Sequence, residues 1–359
     1  MRLTGHAYPW DVLGDPGFVA RTTGLTTVAL ASAYHSVRAA TPLHPSHQLV
    51  EARYAALYRP VRESVWRGRR LRPLRPAWMS TSDSWGEAAA VLRAAGLRVS
   101  AWVVLTHNSR LGNEFPDVAV VNCFGDRYPY ALCPSRPEVR EYAATLALEA
   151  AADADEVSLE ACGQLGLTHQ SHHEKTDGAW TVPAQRWLSV CCCDACQRGW
   201  SSRGLDPTWV LSTLREAVRT SGDVPFAADL LAVRHAATDL LRAEVLANLS
   251  VPVTLHAHPD PWVTGASPGL TPTAGADVAA LIVPAWPTNS APVVEAAVVS
   301  GRPVDAYVTV LATDEGLPDH ARRVVSAGAT GLAFYHLGLA PAWRQPLITE
   351  MIRAVAQPG

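Results

Sequence analysis

The sequence predicts a (β/α)8 barrel with long insertions after its second and fourth strands. Three observations carry that reading. Eight short runs are near-continuously apolar, as strands covered on both faces should be. Segments with helix start and stop signals lie between them. No G-x-G-x-x-G follows the first run, which weighs against an open, doubly wound sheet. The chain of 359 residues is 48% hydrophobic, enough for one large core. A single domain over 1–359 is expected, with the insertions at about 36–96 and 164–250.

The elements follow in order. "LTGHAYP" (3–9) reads as the first strand. "DPGFVARTTG" then reads as a helix, with Asp15 as cap, Pro16 at the first helical position and Gly24 at the end. "TTVALASAYH" (26–35) is the second strand, and the Arg-rich "VWRGRRLRPLRP" lies in the insertion after it. "SWGEAAAVLRAAG" (84–96) is a helix leading into "LRVSAWVVLTHN" (97–108), the third strand. "SRPEVREYAATLALEAAA" opens with Ser135 and Glu138 at capping-box spacing and leads to "DEVSLEACG" (155–163), the fourth strand. The remaining strands are "VPVTLHAHP" (251–259), "AALIVPAW" (279–286), "PVDAYVTVL" (303–311) and "TGLAFYHLG" (330–338). "LPDHARRVVSAGA" supplies a helix between the last two.

Charge and patterning exclude several classes. A formal charge of −3 gives no electrostatic reason to bind nucleic acid or an anionic membrane. No stretch reaches about 18 apolar residues without a charge, proline or glycine, so no membrane span is expected. The start "MRLTGHAYPWDV" has no signal-like apolar run, so a cytoplasmic protein is the default reading.

In a barrel, chemistry is done at the C-terminal ends of the strands. Those ends carry His6 and Trp10, His35, His107 and Asn108, Glu160, His256 and His258, Trp286, Tyr307, and His336. Any one histidine has a plain reading as a core imidazole bonded to a carbonyl. Spread over five strand ends, they describe a polar pocket rimmed by aromatics. Imidazoles hydrogen-bond hydroxyls and tryptophan faces stack on sugar C–H surfaces, so the expected partner is a small carbohydrate.

Glu160 is the sharpest single residue. A carboxylate ending an apolar strand is costly to bury unless it is paired or used, and its apolar neighbours would raise its pKa as a general acid requires. The plain alternative is a salt bridge to an arginine of an insertion. A glycosidase needs a second carboxylate. Asp260 follows the fifth strand, Asp314 and Glu315 follow the seventh, and Glu174 follows the fourth. Each of these also reads as a turn, cap or loop charge. Glu174 lies in "HQSHHEKTDG" with His169, His172, His173 and the only lysine, a candidate binding lid or metal site that adds His173 and Glu174 to the substrate-binding candidates. Two rival functions fit the same residues. One is a metal-dependent barrel hydrolase or isomerase using strand-end histidines. The other is a sugar-binding barrel without catalysis.

"LSVCCCDACQRGW" places four of seven cysteines within six residues. Cys191, Cys193 and Cys196 form C-x-C-x2-C, and a closed tetrahedral zinc site needs a fourth ligand. Cys133, in "YALCPSRPEVREY", is the candidate. Cys192 cannot easily join its immediate neighbours, and Cys123 and Cys162 read as small buried apolar residues.

The order of these pieces resembles glycoside hydrolase family 42, the β-galactosidase-like (β/α)8 enzymes. "LCPSRPEVREY", then "VSLEACG", then "CCCDACQRGW" running into a helix, follow the family's sequence of features over about residues 122–219. The resemblance implies that Glu160 is the acid/base of a glycoside hydrolase. It implies a structural zinc at Cys133, Cys191, Cys193 and Cys196, with no organic cofactor, and makes a homo-oligomer plausible. Two departures stand out. Leu159 precedes Glu160 where the family usually has Asn, and "AYVTVL" supplies no glutamate at the end of the seventh strand.

Overall fold

The structure is a computed structural model that describes residues 1–168, 175–176, 178–312 and 315–356. Eight parallel strands close on themselves: β1 (Arg2–Ala7), β2 (Thr27–Tyr34), β3 (Arg98–Val104), β4 (Glu156–Glu160), β5 (Val253–His256), β6 (Ala280–Pro284), β7 (Val304–Thr309) and β8 (Gly331–Tyr335). Each pairs with the next, and β8 returns to β1 with Arg2 opposite Gly331 and Gly5 opposite Phe334. This is the (β/α)8 barrel, and each predicted run contains one strand.

Strand parity sets the barrel interior. Along β4, Ser158 and Glu160 alternate with Val157 and Leu159. Ser158 Oγ meets His256 Nε2 of the neighbouring strand β5 at 3.1 Å on the inner face of the sheet, so the Ser158 face points inward and carries Glu160 with it. The same alternation brings in Thr4 and His6 of β1, Ser100 and Trp102 of β3, and Asp305 and Tyr307 of β7. All of them are buried. The outward residues pack beneath helices such as Ser84–Ala94 and Pro137–Ala150.

At the N-terminal end of the barrel, Asp305 accepts two bonds from Arg2, at 2.7 and 3.3 Å. A Cβ at Gly331 would lie 2.4 Å from Asp305 Oδ1, so glycine makes room for this ion pair. Asp305 belongs to the floor of the barrel, away from the strand ends that bear chemistry.

The insertion after β2 holds a hairpin (Val37–Ala40 with Leu49–Ala52) and the helix Ser84–Ala94. Its arginines are ion-paired: Arg62 to Glu149, Arg69 to Glu141, and Arg70 to both Asp117 and Glu138. The insertion after β4 contributes helices Val182–Leu188, Asp194–Ser202, Pro207–Thr220 and Ala227–Leu246. No helix among the described residues is long and apolar enough to cross a membrane.

Two local expectations are corrected. Residues 16–24 form no α-helix; a 3-10 turn (Val19–Thr22) stands there, and a short helix, Pro9–Gly14, precedes it. Asp15 accepts the Gly17 N–H and pairs with Arg21, while the Thr22 and Thr23 hydroxyls bond back to Val19 and Ala20 carbonyls. These contacts tighten the turn. Ser135 and Glu138 make no capping box: Ser135 Oγ sits 3.1 Å from Cys196 Sγ and Glu138 is held by Arg70. An unanticipated hairpin, Ala119–Val121 with Arg127–Leu132, precedes Cys133.

Candidate active site

Glu160 ends β4 inside the barrel mouth and is 5% exposed. The indole N–H of Trp102 donates to Oε2 at 2.8 Å. Burial pushes the carboxyl up to about 7, and the Trp102 bond, which favours the charged form, holds it back. The negative charge of Glu160 is felt by the phenols of Tyr34, Tyr307 and Tyr335, which ring it.

The backbone just past Glu160 is strained. Ala161 has φ +52°, the left-handed region that favours glycine. It is pinned from three sides. Its N–H donates to Ala266 O at 2.8 Å, and Thr106 Oγ1 donates to the carbonyls of Ala161 and Gly163, both at 2.8 Å. Backbone held in such a region by its surroundings clusters at functional sites.

The histidines lie beside this carboxyl. His6 packs against Trp102 (4.8 Å between ring centroids), Tyr307 (4.7 Å) and His256 (5.7 Å). His336, just past β8, packs on Tyr8 at 4.3 Å and near Trp102 at 6.1 Å. Burial pushes His256 and His336 down to about 3 and lowers His6 well below its ordinary value, so all three are neutral near pH 7. The Gly338 N–H donates to His336 Nδ1 at 3.2 Å, which places the ring proton on Nε2. That Nε2, His256 Nδ1, Trp286 Nε1 and the Tyr307 hydroxyl are buried without hydrogen-bond partners. Orphaned buried polar atoms converging on one mouth are donors and acceptors in wait for a ligand with several hydroxyls. Trp286 stacks on Tyr335 at 4.9 Å and forms a partly exposed aromatic wall over β6–β8.

A second buried carboxyl went unseen in the sequence. Asp11, on the helix after β1, is 5% exposed and accepts the Tyr8 N–H at 2.8 Å. Burial pushes it, too, up to about 7. Its Oδ2 lies 3.7 Å from His336 Nδ1. Tyr335 feels both Asp11 and Glu160. Its signal, Asp at the third position of a helix, is indistinguishable from ordinary capping.

The other candidates fall elsewhere. Trp10 is buried against Tyr8 (4.3 Å) and Tyr58 (5.8 Å), one layer behind the mouth. His35 and His107 stack on each other at 4.2 Å, half-buried beside Tyr34. Asn108 is spent structurally: its Oδ1 accepts the Leu111 N–H at 3.0 Å to cap helix Ser109–Glu114, and its Nδ2 faces the Tyr142 hydroxyl at 3.2 Å. Asp260 is exposed in a tight turn, accepting from Trp262 N–H at 2.9 Å and donating its own N–H to His258 Nδ1 at 3.0 Å. Glu315 is exposed before helix Leu317–Ser326. Asp314 and the lid candidates His169, His172, His173 and Glu174 lie outside the described residues.

Cys133, Cys191, Cys193 and Cys196 come together, all buried, with their sulfurs within 4.8 Å of one another. Cys133 Sγ is 3.5 Å from Cys191, 3.7 Å from Cys193 and 3.7 Å from Cys196. A tetrahedron with Zn–S bonds of about 2.3 Å has S···S edges of about 3.8 Å, so the four sulfurs already stand at metal-site spacing. The cluster could hold a metal ion. Cys192 turns away to the Val190 carbonyl, and Cys123 and Cys162 are buried thiols that burial raises to about 11 and about 12. Among the described residues, no other set of three or more histidines, cysteines or carboxylates converges as a metal site.

No family model matches the chain, and no curated protein matches it in sequence. Solved structures match its fold. α-L-Fucosidase isoenzyme 2 from Paenibacillus thiaminolyticus is 12% identical over 99% of this chain and 49% of its own, with a TM-score of 0.59. The catalytic domain of β-amylase from Paenibacillus polymyxa is 12% identical over 99% of both chains, with a TM-score of 0.59. Gan42B, a GH42 β-galactosidase, is 10% identical over 98% of this chain and 55% of its own, with a TM-score of 0.55. The chain thus spans about half of the fucosidase and the galactosidase, and nearly the whole β-amylase domain. At these identities the likeness is one of fold.

Proposed function

We propose that the chain is a glycoside hydrolase acting on a carbohydrate, with Glu160 as general acid. One observation carries the reading: a carboxyl buried at the end of β4 and raised to about 7, held by Trp102 and ringed by hydroxyl and imidazole groups. Such a group is protonated near neutrality yet close enough to its pKa to give the proton up. It would donate to the glycosidic oxygen as the bond to the anomeric carbon breaks. The orphaned His336 Nε2, His256 Nδ1 and Tyr307 hydroxyl would bind sugar hydroxyls, and Trp286 with Tyr335 would face the ring. The matched barrels named as a fucosidase, an amylase and a galactosidase support a sugar as substrate.

The second group is a carboxylate that attacks the anomeric carbon or activates water. Asp260, Glu315 and Asp314 are candidates by position after β5 and β7, and Asp11 joins them as a carboxyl buried beside His336. Hydrolysis of a panel of aryl glycosides by wild type, Glu160→Gln, Asp11→Asn, Asp260→Asn and Glu315→Gln tests the assignment. Glu160→Gln is expected to lose about 10²- to 10⁴-fold in kcat/KM, the usual worth of a positioned acid. Undiminished activity in Glu160→Gln sinks it, and sugar binding without turnover by the wild type makes the chain a binding barrel instead. We assign the four cysteines to a structural zinc, with Cys133, Cys191, Cys193 and Cys196 as ligands. The ion would clasp the insertion after β4 to the hairpin after β3.

A further inference from the structure

Arg234 lies on helix Ala227–Leu246 and is 8% exposed. Its Nη1 donates to the Trp262 carbonyl at 3.0 Å, and its guanidinium lies over the Trp262 ring at 5.0 Å. Among the described residues, no carboxylate forms an ion pair with it, and its Nη2 is buried without a hydrogen-bond partner. Removing a guanidinium from water costs several kcal/mol unless an anion compensates it. Burial accordingly pulls its pKa down to about 10, and the strongest groups pulling it back up are Cys196 and Cys191. Arg234, Cys191 and Cys196 together line a cavity of about 10 Å³, with Gln164, Trp200 and Leu230. That is room for about one water.

A zinc ion held by four thiolates carries a net charge of about −2, the anion this buried cation lacks. We propose that Arg234 is the outer-sphere counter-cation of the tetracysteine metal site, its free Nη2 donating through a single water to the thiolates of Cys191 and Cys196. This rests on the zinc assignment made above and goes beyond it in giving the metal a defined tie to the barrel. Trp262 belongs to the segment after β5. Four residues on, the Ala266 carbonyl accepts the Ala161 N–H at 2.8 Å, next to Glu160. Arg136, also near the cluster, is already paired with Asp194, so it is a weaker compensator.

The test is zinc affinity by chelator competition, in reductant, on the full chain. Wild type, Arg234→Met, Arg234→Lys and Arg136→Gln are compared, with helical circular dichroism as the check on folding. Outer-sphere partners are commonly worth 10- to 100-fold in metal affinity. Arg234→Met is expected to lose that much, Arg234→Lys less because it keeps the charge without the fork, and Arg136→Gln least. The cobalt form should show its thiolate charge-transfer bands shifted in Arg234→Met. If Arg234→Met does not fold, a folded Arg234→Lys with affinity between threefold and 30-fold below wild type supports the same role. Wild-type affinity in each folded Arg234 variant overturns it with the zinc site intact. A wild-type chain that takes up no zinc overturns the metal assignment and Arg234's part together.

Discussion

Burial of Glu160 has a consequence for stability as well as for proton transfer. Its folded pKa, about 7, stands above the ordinary carboxyl value of 4.5. The native state therefore holds a proton that the unfolded chain gives up between those values. Stability from this group is fully present below pH 4.5 and is lost as pH rises towards 7, by on the order of 3 kcal/mol. Glu160→Gln removes the effect. The melting temperature of the variant minus that of wild type should rise by about 4 °C between pH 4.5 and pH 8 for a chain of this size. A constant difference across that range would show that Glu160 is not buried as a neutral acid. Trp102→Phe removes the one bond that favours the charged form. The alkaline limb of kcat/KM should then move to higher pH, because the acid must be protonated to act. Glu160 and the histidines were legible in the sequence because a polar residue ending an apolar run has few ordinary explanations. Trp102 and Tyr335 were not, since aromatic residues within such a run read as core. The left-handed Ala161 was hidden because a glycine is expected where it stands.

At the scale of elements, the barrel is joined differently at its two ends, and glycine marks both joints. At the C-terminal end of the strands, a Cβ on Gly338 would stand 2.0 Å from Asp11 Cγ. The loop after β8 can close over the helix after β1 only because that side chain is missing. Gly338→Ala should cost about 1–3 kcal/mol through overpacking, and distinctly less in an Asp11→Ala background. Equal costs in both backgrounds, read by chemical denaturation, would show that the two residues are not in contact. At the opposite end, Asp305 is bound to Arg2 far from any chemistry. Asp305→Asn should lower stability by about 2 kcal/mol, since the Arg2 side chain is 26% exposed and partly screened, and should leave kcat within twofold of wild type. A large fall in kcat would place Asp305 in the mechanism after all. The strands themselves were readable as apolar runs. Their inward parity was not, because Thr4, Ser100 and Ser158 are too few and too small to break the apolar pattern.

Across the whole molecule, the closed barrel is made by pairing between strands, and the insertion after β4 has to be held to it from outside. The four helices of that insertion pack on the common core, yet the sulfur cluster is where the hairpin after β3, helix Asp194–Ser202 and, through Arg234, the segment after β5 meet. The spacing C-x-C-x2-C announced three of these contacts in the sequence. The fourth, Cys133, was legible as a cysteine just before a helix, while the hairpin that delivers it was hidden by short strands and ordinary turn residues. Three buried sulfurs stand 3.5–3.7 Å from Cys133 and are crowded without an ion: their mutual contacts lower Cys193 but raise Cys133 and Cys196, so the set resists ionising together until a cation joins it. Metal removal should therefore loosen the clasp while the parallel barrel, which owes it no hydrogen bond, persists. Stripping zinc with a strong chelator in reductant should lower the melting temperature. It should also bring the first cuts of limited proteolysis into residues 182–246, before any barrel strand is cut, and added zinc should reverse both effects. Metal-free protein that melts and is cut as the loaded protein is would show that core packing alone holds the insertion in place.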